Sequence, residues 1–214
     1  MSNKTAIVVG AGILGLATAK ALAEKGYKVT VIEKSQFSLG ASIRNFGMLW
    51  PVGQPDGALY NRALRTKEIW LEYLKSQKIP YNACGSLHLA YSEEEMNVVE
   101  DIAQFFSSKS RPVTVLKKQD ILSKYNGINE NGLLGALQSK DEVIIDPREG
   151  IKNLPQYLTE KFHVKFLWGT AITSVTTNTA YAGKTRYDAD IICVCSGADF
   201  ETLYPDVFKA QPII

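Results

Sequence analysis

The chain is poor in the residues from which most metal and catalytic centres are assembled. Its 214 residues include two histidines and three cysteines. Cys84, Cys193 and Cys195 are odd in number and lack metal-ligand spacing, so no metal site is expected. Cys193 and Cys195 would share one face of a strand, and their separation does not fit a redox-active C-x-x-C pair. They read best as small buried hydrophobes in a reduced, cytoplasmic compartment. Charge of one sign is also scarce, because 24 Lys and Arg residues are balanced by 22 Asp and Glu scattered along the chain. No basic stripe forms, which argues against nucleic acid as a partner. No stretch reaches the ~20 apolar residues that a membrane span needs.

What remains is a soluble composition, 45% hydrophobic and 21% charged, able to bury the core of one large domain or of a domain with a lobe. Residues 5–9 are a β-branched and apolar run that stops at Gly10, as a buried strand of a parallel sheet would. Over residues 13–25, Leu14, Ala17, Ala21 and Leu22 recur at helical spacing, and Gly26 supplies the left-handed end. Residues 28–33 are a second strand, which completes a right-handed βαβ unit. The run from Ala6 to Ala19, preceded by Lys4 and ending in Ala17-Thr18-Ala19, also imitates a secretion signal. Its glycines and its unbroken continuation into a helix favour the βαβ reading.

Further along, Leu59, Ala63, Ile69, Trp70 and Leu74 predict an amphipathic helix over residues 58–77. Residues 85–91 alternate like a strand, and Ser92 with Glu95 forms a capping-box signature for a helix to about residue 106. Short strands are expected at 113–116 and 133–138. Asp146-Pro147 opens a helix to about residue 161, with proline in its first position. Three strands follow, at 164–168, 171–177 and 186–195, with a turn at 182–184. The apolar end of the last suggests a return to the first sheet. No internal repeat is present.

Gly10-Ala11-Gly12-Ile13-Leu14-Gly15 lies between the first strand and the first helix, with Glu33 closing the next strand. Gly10 permits the tight turn, Gly12 lets backbone approach a pyrophosphate, and Gly15 allows close helix–strand packing. The helix N-terminus offers N–H groups and partial positive charge. Glu33 would accept from ribose hydroxyls, which disfavours NADP. The fingerprint alone does not choose between NAD and FAD. A non-binding role is also open at each end of it, with glycines that only pack a helix and a Glu33 that is only solvated.

The next run, Leu39-Gly40-Ala41-Ser42-Ile43-Arg44-Asn45-Phe46-Gly47-Met48-Leu49, resembles one that follows the ribose-binding acid in glycine oxidases and D-amino-acid dehydrogenases of the D-amino-acid oxidase family. The resemblance implies FAD. By position Ser42 would meet the pyrophosphate, Asn45 and Phe46 would approach the flavin by backbone, and Gly47 and Met48 would lie near the isoalloxazine. Arg44 would either offset phosphate charge or be a surface cation. Asp146-Pro147-Arg148 is similar to the start of the family's middle helix. Thr170-Ala171-Ile172 resembles the strand whose backbone pairs with adenine, and Cys195-Ser196-Gly197 the turn that approaches the cofactor. The expected cofactor set is thus Gly10, Gly12, Ile13, Leu14, Gly15, Glu33, Lys34, Ser42, Arg44, Asn45, Phe46, Gly47, Met48, Ile172, Ser196 and Gly197, with catalytic residues unassigned.

The implied fold is α/β: a Rossmann-like, glutathione-reductase-like FAD-binding domain from residues 1–79 and 146–214, with an inserted, incomplete α+β substrate lobe at 80–145. Family members are usually much longer than a chain ending at Pro212-Ile213-Ile214, so a fragment is expected. The implied reaction is oxidation of a C–N bond in a small amine or amino acid. Residues 42–55 are similar to a subgroup associated with phosphonate breakdown, which adds an aminophosphonate as a candidate. Because the flavin carries the chemistry, no triad or carboxylate pair is needed. The rivals are an NAD-dependent dehydrogenase, which should continue into repeated strand–helix units, and a nucleotide-binding module without catalysis. His88 and His163 sit in no motif and read as structural. Trp50 and Tyr60 suit either a pocket or packing, and the acids Glu93, Glu94, Glu95, Glu100 and Asp101 suit a solvated face.

Overall fold

The computed structural model of the chain describes residues 4–199 and 201–208. In chain order its elements are β1 (Thr5–Val9), α1 (Ile13–Glu24), β2 (Lys28–Ile32), β3 (Met48–Leu49), α2 (Ala58–Ser76), β4 (Tyr81–Asn82), β5 (Ser86–Ala90), α3 (Glu93–Ser108), β6 (Val113–Lys117), α4 (Lys118–Lys124), β7 (Gly135–Ser139), β8 (Val143–Ile145), α5 (Pro147–Phe162), β9 (Lys165–Leu167), β10 (Ser174–Val175), β11 (Thr179–Ala182), β12 (Thr185–Asp188), β13 (Ile191–Val194) and α6 (Pro205–Phe208). They fall into two compact units, Met1–Phe46 with Asp146–Ile214, and Gly47–Ile145.

The first unit is organised by a parallel sheet of order β13-β1-β2-β9. The apolar run from Ala6 thus builds the central strand and then α1, which begins at Ile13 and gives way to Gly26 at φ 84°. Alternation along β1 sends Ile7 and Val9 to one face, where they join Ile32, Ile172, Ala180 and Ala189 in a core shared with the antiparallel sheet β10-β11-β12. Asp146 caps α5 by accepting from the Arg148 N–H at 2.8 Å, with Pro147 in the first turn. His163 ends that helix at φ 58°, a capping role.

Two of the expected strands are corrected. Residues 171–177 are not one strand: Ile172 turns into the core and only Ser174–Val175 pairs, with β11. The stretch 186–195 is two strands in different sheets, β12 antiparallel to β11 and β13 parallel to β1. The break lies at Ala189 and Asp190, whose carbonyls accept from the Asn178 side chain at 3.2 and 2.9 Å. There the Asp190 carboxylate takes the Thr5 N–H at 2.7 Å and ties the crossover to β1.

The second unit carries a β5-β7-β6 sheet and a small β3-β8-β4 sheet, both antiparallel. Ala90 and Leu137 pack with Val99 and Ala103 of α3, while Leu116 and Ala136 pack with Ile121 of α4 and Leu133. The capping box of Ser92 and Glu95 forms as expected, and the other acids of that helix face solvent. Residues 47–79, expected to cluster with the first domain, group with this unit instead. The cause is a set of buried polar ties. Asp141 accepts from the Tyr60 hydroxyl at 2.5 Å and from the Lys67 ammonium at 2.7 Å. Burial, and then the Asp141 hydrogen bond, push the Tyr60 hydroxyl up to about 12.

Arg111 is 4% exposed and donates to the carbonyls of Pro51, Val52 and Gln54 at 3.2, 2.8 and 3.1 Å. Its guanidinium lies 3.9 Å from the Tyr60 ring centroid and 3.6 Å from that of Phe106. Glu142, 2% exposed, holds the same loop from the other side through the Val52 N–H at 2.9 Å. Arg111→Met is therefore expected to orphan buried carbonyls and cost about 1–3 kcal/mol. Arg186→Met, which removes an exposed surface pair with Asp188, should leave the unfolding midpoint nearly unchanged. Urea unfolding of the two variants separates them, and equal midpoints would refute the clamp.

Candidate functional site

The fingerprint glycines differ in why they must be glycine. Gly10 stands at φ 104°, and a Cβ there would meet the Cys195 carbonyl oxygen at 2.4 Å. A Cβ on Gly15 would come within 2.0 Å of the Gly10 carbonyl oxygen. Both are demanded by backbone packed on backbone. Gly12 is extended at φ −70°, and its Cβ would meet only the Ser42 hydroxyl, at 3.1 Å. No backbone atom stands before it, only a hydroxyl that can rotate, as approach of a phosphate requires.

Gly12 caps α1 without any side-chain acceptor, so the first turn presents its N–H groups outward. The Ile13 N–H reaches the Ser42 hydroxyl at 2.9 Å. Those of Gly12 and Leu14 have no protein acceptor among the described residues. Ile13 and Leu14 are 37% and 67% exposed, an apolar shoulder beside the N-terminus of α1, whose partial positive charge suits an anion. The Glu33 carboxylate accepts from the Ala11 N–H at 2.8 Å and the Ser35 N–H at 2.9 Å, which fixes it against the glycine turn with lone pairs to spare. Ser38, missed in the sequence, is buried and donates to the Ala11 carbonyl at 2.7 Å. No motif marks it.

After β13 the chain turns at Ser196 and Gly197, the latter at φ 64°, with the Asp199 N–H returning to the Ser196 carbonyl at 3.2 Å. Asp199, also missed, pairs with Lys34 and takes a hydrogen bond from Thr202 at 2.5 Å. These two donors, Lys34 first, hold its carboxyl below the usual carboxylate range. Burial pushes the Cys195 thiol up, against an opposing hydrogen bond with Thr18.

In the run after β2, Gly40–Ile43 forms a single 3-10 turn that brings Ser42 back to α1. The Arg44 side chain is exposed and donates to the Gly40 carbonyl at 3.0 Å. Asn45 donates to the Ser42 carbonyl at 2.7 Å, and Phe46 is 90% exposed. Ile172, 7% exposed, commits its side chain to the core, leaving only backbone for a ligand. Gly47 and Met48 belong to the second unit, where Met48 faces Ile144 across β3 and β8. Gly47 has φ 66°, which by itself favours glycine.

His88 stacks on Trp50 with centroids 6.3 Å apart, and its Nε2 lies 3.2 Å from the Ser86 hydroxyl. It lines a groove of about 620 Å³ in the second unit with Val52, Val98, Ile102 and Phe106. None of the expected cofactor residues borders that groove. Among the described residues no helix is long and apolar enough to cross a membrane.

A parallel sheet with a glycine turn, an outward helix N-terminus and an acid on the next strand defines a dinucleotide-binding α/β protein. The FAD dependent oxidoreductase family, DAO, matches residues 5–213, and the chain belongs to it. The chain is 25% identical over 218 residues to the tRNA 5-methylaminomethyl-2-thiouridine biosynthesis bifunctional protein MnmC of Campylobacter concisus, covering 96% of this chain and 32% of that protein. Its fold matches glycine oxidase from Geobacillus kaustophilus with a TM-score of 0.79 at 20% identity, covering 96% of this chain and 59% of the other. For L-proline dehydrogenase from P. horikoshii the TM-score is 0.80 at 20% identity, covering 92% and 54%. The chain thus spans about a third of that curated relative and somewhat over half of these solved chains.

The family's cofactor is FAD, and the open approach to Gly12, the outward N–H groups and the fixed Glu33 fit such a group. The unequal glycines lead to a stability test. Gly15→Ala should cost about 1–3 kcal/mol, since backbone must move. Gly12→Ala should cost under about 1 kcal/mol, because only a rotatable hydroxyl must give. Thermal melting of both variants checks this, and a Gly12 variant as damaged as the Gly15 variant would remove the distinction.

Proposed function

We propose that the unit made of residues 1–46 and 146–214 holds FAD and that the parent enzyme oxidises a C–N bond of an amino acid or related amine. The observation that carries this reading is Gly12, the one fingerprint glycine that no backbone atom requires, with only the rotatable Ser42 hydroxyl close to it at the helix N-terminus. The names of the relatives, glycine oxidase and L-proline dehydrogenase, support an amine substrate. FAD, when bound, supplies at N5 an acceptor for the hydride on the amine-bearing carbon. The chain's own residues bind and orient. The N–H groups of Gly12, Ile13 and Leu14 would hold the pyrophosphate, with Ser42 rotating from Ile13 to meet it. Glu33 would accept from the ribose hydroxyls, and Ser196 and Gly197 would border the cofactor from β13. Lys34, Arg44, Asn45, Phe46 and the backbone of Ile172 would complete the wall.

The second unit, residues 47–145, would be the substrate lobe, and Gly47 and Met48 would contribute to flavin binding. There the protein's task is to aim the amine carbon, exclude water and favour the neutral amine. The wording of residues 42–55 brings an aminophosphonate into the substrate panel beside glycine and proline. The three free cysteines accord with a reduced, cytoplasmic setting.

Protein purified without added cofactor should show flavin absorbance, and an amine substrate should bleach it under anaerobic conditions. A colourless protein that also takes up no added FAD would overturn the reading. Glu33→Ala should weaken FAD binding by about one to two decades, the loss of charge-assisted hydrogen bonds worth roughly 1.5–3 kcal/mol. Fluorescence titration with equal affinity in mutant and wild type would take Glu33 out of the site.

A further inference from the structure

Lys34 and Asp199 form the ion pair that joins the loop after β2 to the loop after β13. The strand order sets β1 between those two strands, and all three run parallel. Lys34, Asp199 and the turn Gly10-Ala11-Gly12 therefore leave the sheet at the same edge. With neighbouring strands about 4.8 Å apart, β2 and β13 stand roughly 10 Å from each other. The pair bridges that gap above the end of β1, where the glycine turn and the Glu33 carboxylate lie.

The bridge is aimed rather than incidental. One Asp199 carboxylate oxygen takes the Lys34 ammonium, and the other takes the Thr202 hydroxyl at 2.5 Å. The Asp199 N–H returns to the Ser196 carbonyl, which sets the angle of the loop. Glu33, the acid next to Lys34, is held away by the N–H groups of Ala11 and Ser35. The two side chains are 57% and 37% exposed, so the pair adds little to folding stability. Its consequence lies in what it crosses.

Resting on the FAD reading above, we infer that Lys34 and Asp199 form a clasp across the adenosine end of the bound dinucleotide and set how long it stays. The clasp closes two loops, each rooted on a different strand, over a ligand that occupies the sheet edge between them. It must open for the cofactor to leave. Because the pair is exposed, salt loosens it: the Debye length falls from about 8 Å at physiological ionic strength to about 3 Å at 1 M.

The test is the rate of FAD release from flavin-loaded protein, followed by the rise of free-flavin fluorescence after dilution at low and at high salt. At low salt Asp199→Asn should release FAD about fivefold faster, near the ceiling for an exposed ion pair. High salt should speed release from wild type and leave Asp199→Asn nearly unchanged. Release from Asp199→Asn at the wild-type rate would overturn the clasp while leaving FAD binding intact. Wild-type release that high salt leaves unchanged would also overturn it. Wild-type protein that holds no FAD at all would instead remove the reading on which the clasp rests.

Discussion

Helix α1 approaches the turn that launches it so closely that backbone atoms occupy the places where side chains would begin. A Cβ at Gly15 would overlap the Gly10 carbonyl, and one at Gly10 would overlap the Cys195 carbonyl beyond β13. Three pieces of chain, the end of β1, the start of α1 and the end of β13, are therefore locked at one point. That lock directs the first N–H groups of α1 outward along the sheet edge instead of into protein. It also brings the Ser196–Gly197 turn beside the glycine turn. The proposed cofactor site would in this sense be a by-product of backbone packing, with Gly12 as the one fingerprint glycine that no backbone atom crowds.

The second unit is held by a different kind of interaction. Arg111 is buried without a carboxylate partner among the described residues, between two aromatic rings and against three carbonyls of the 51–54 loop. Glu142 takes the Val52 N–H of that loop and the Ser86 hydroxyl of β5. A short loop without regular pairing has many unsatisfied backbone groups, and burying it requires donors and acceptors from elsewhere. Arg111 and Glu142 supply them. No buried side-chain nitrogen or oxygen among the described residues lacks a partner, so these charged groups are compatible with a packed interior.

Where a structural feature depends on neighbours in sequence, the chain announces it. The strand at Thr5–Val9, the capping box at Ser92, the proline start of α5 and the glycine end of α1 all formed at or within a residue or two of their expected places. The turn at 182–184 did so too, as the β11–β12 hairpin. The family resemblance was legible for the same reason: its motifs are short runs whose glycines and acids meet local backbone demands. Short elements with weak periodicity, such as α4, β8 and β11, were not legible.

Composition and spacing by themselves determined the βαβ unit, the fingerprint and the acid at Glu33, and the resemblance of residues 39–49 implied the family. Tertiary structure decided the rest. It split residues 186–195 between two sheets, because a stretch that reads as one strand says nothing about which partner each half will find. It drew residues 47–79 into the second unit through Asp141 and Arg111, residues more than fifty positions from the loop and helix they hold. It also joined Lys34 to Asp199 and Ser42 to Ile13. Such contacts are set by where parallel strands end in space, and strand order is a property of the folded sheet that no local pattern encodes.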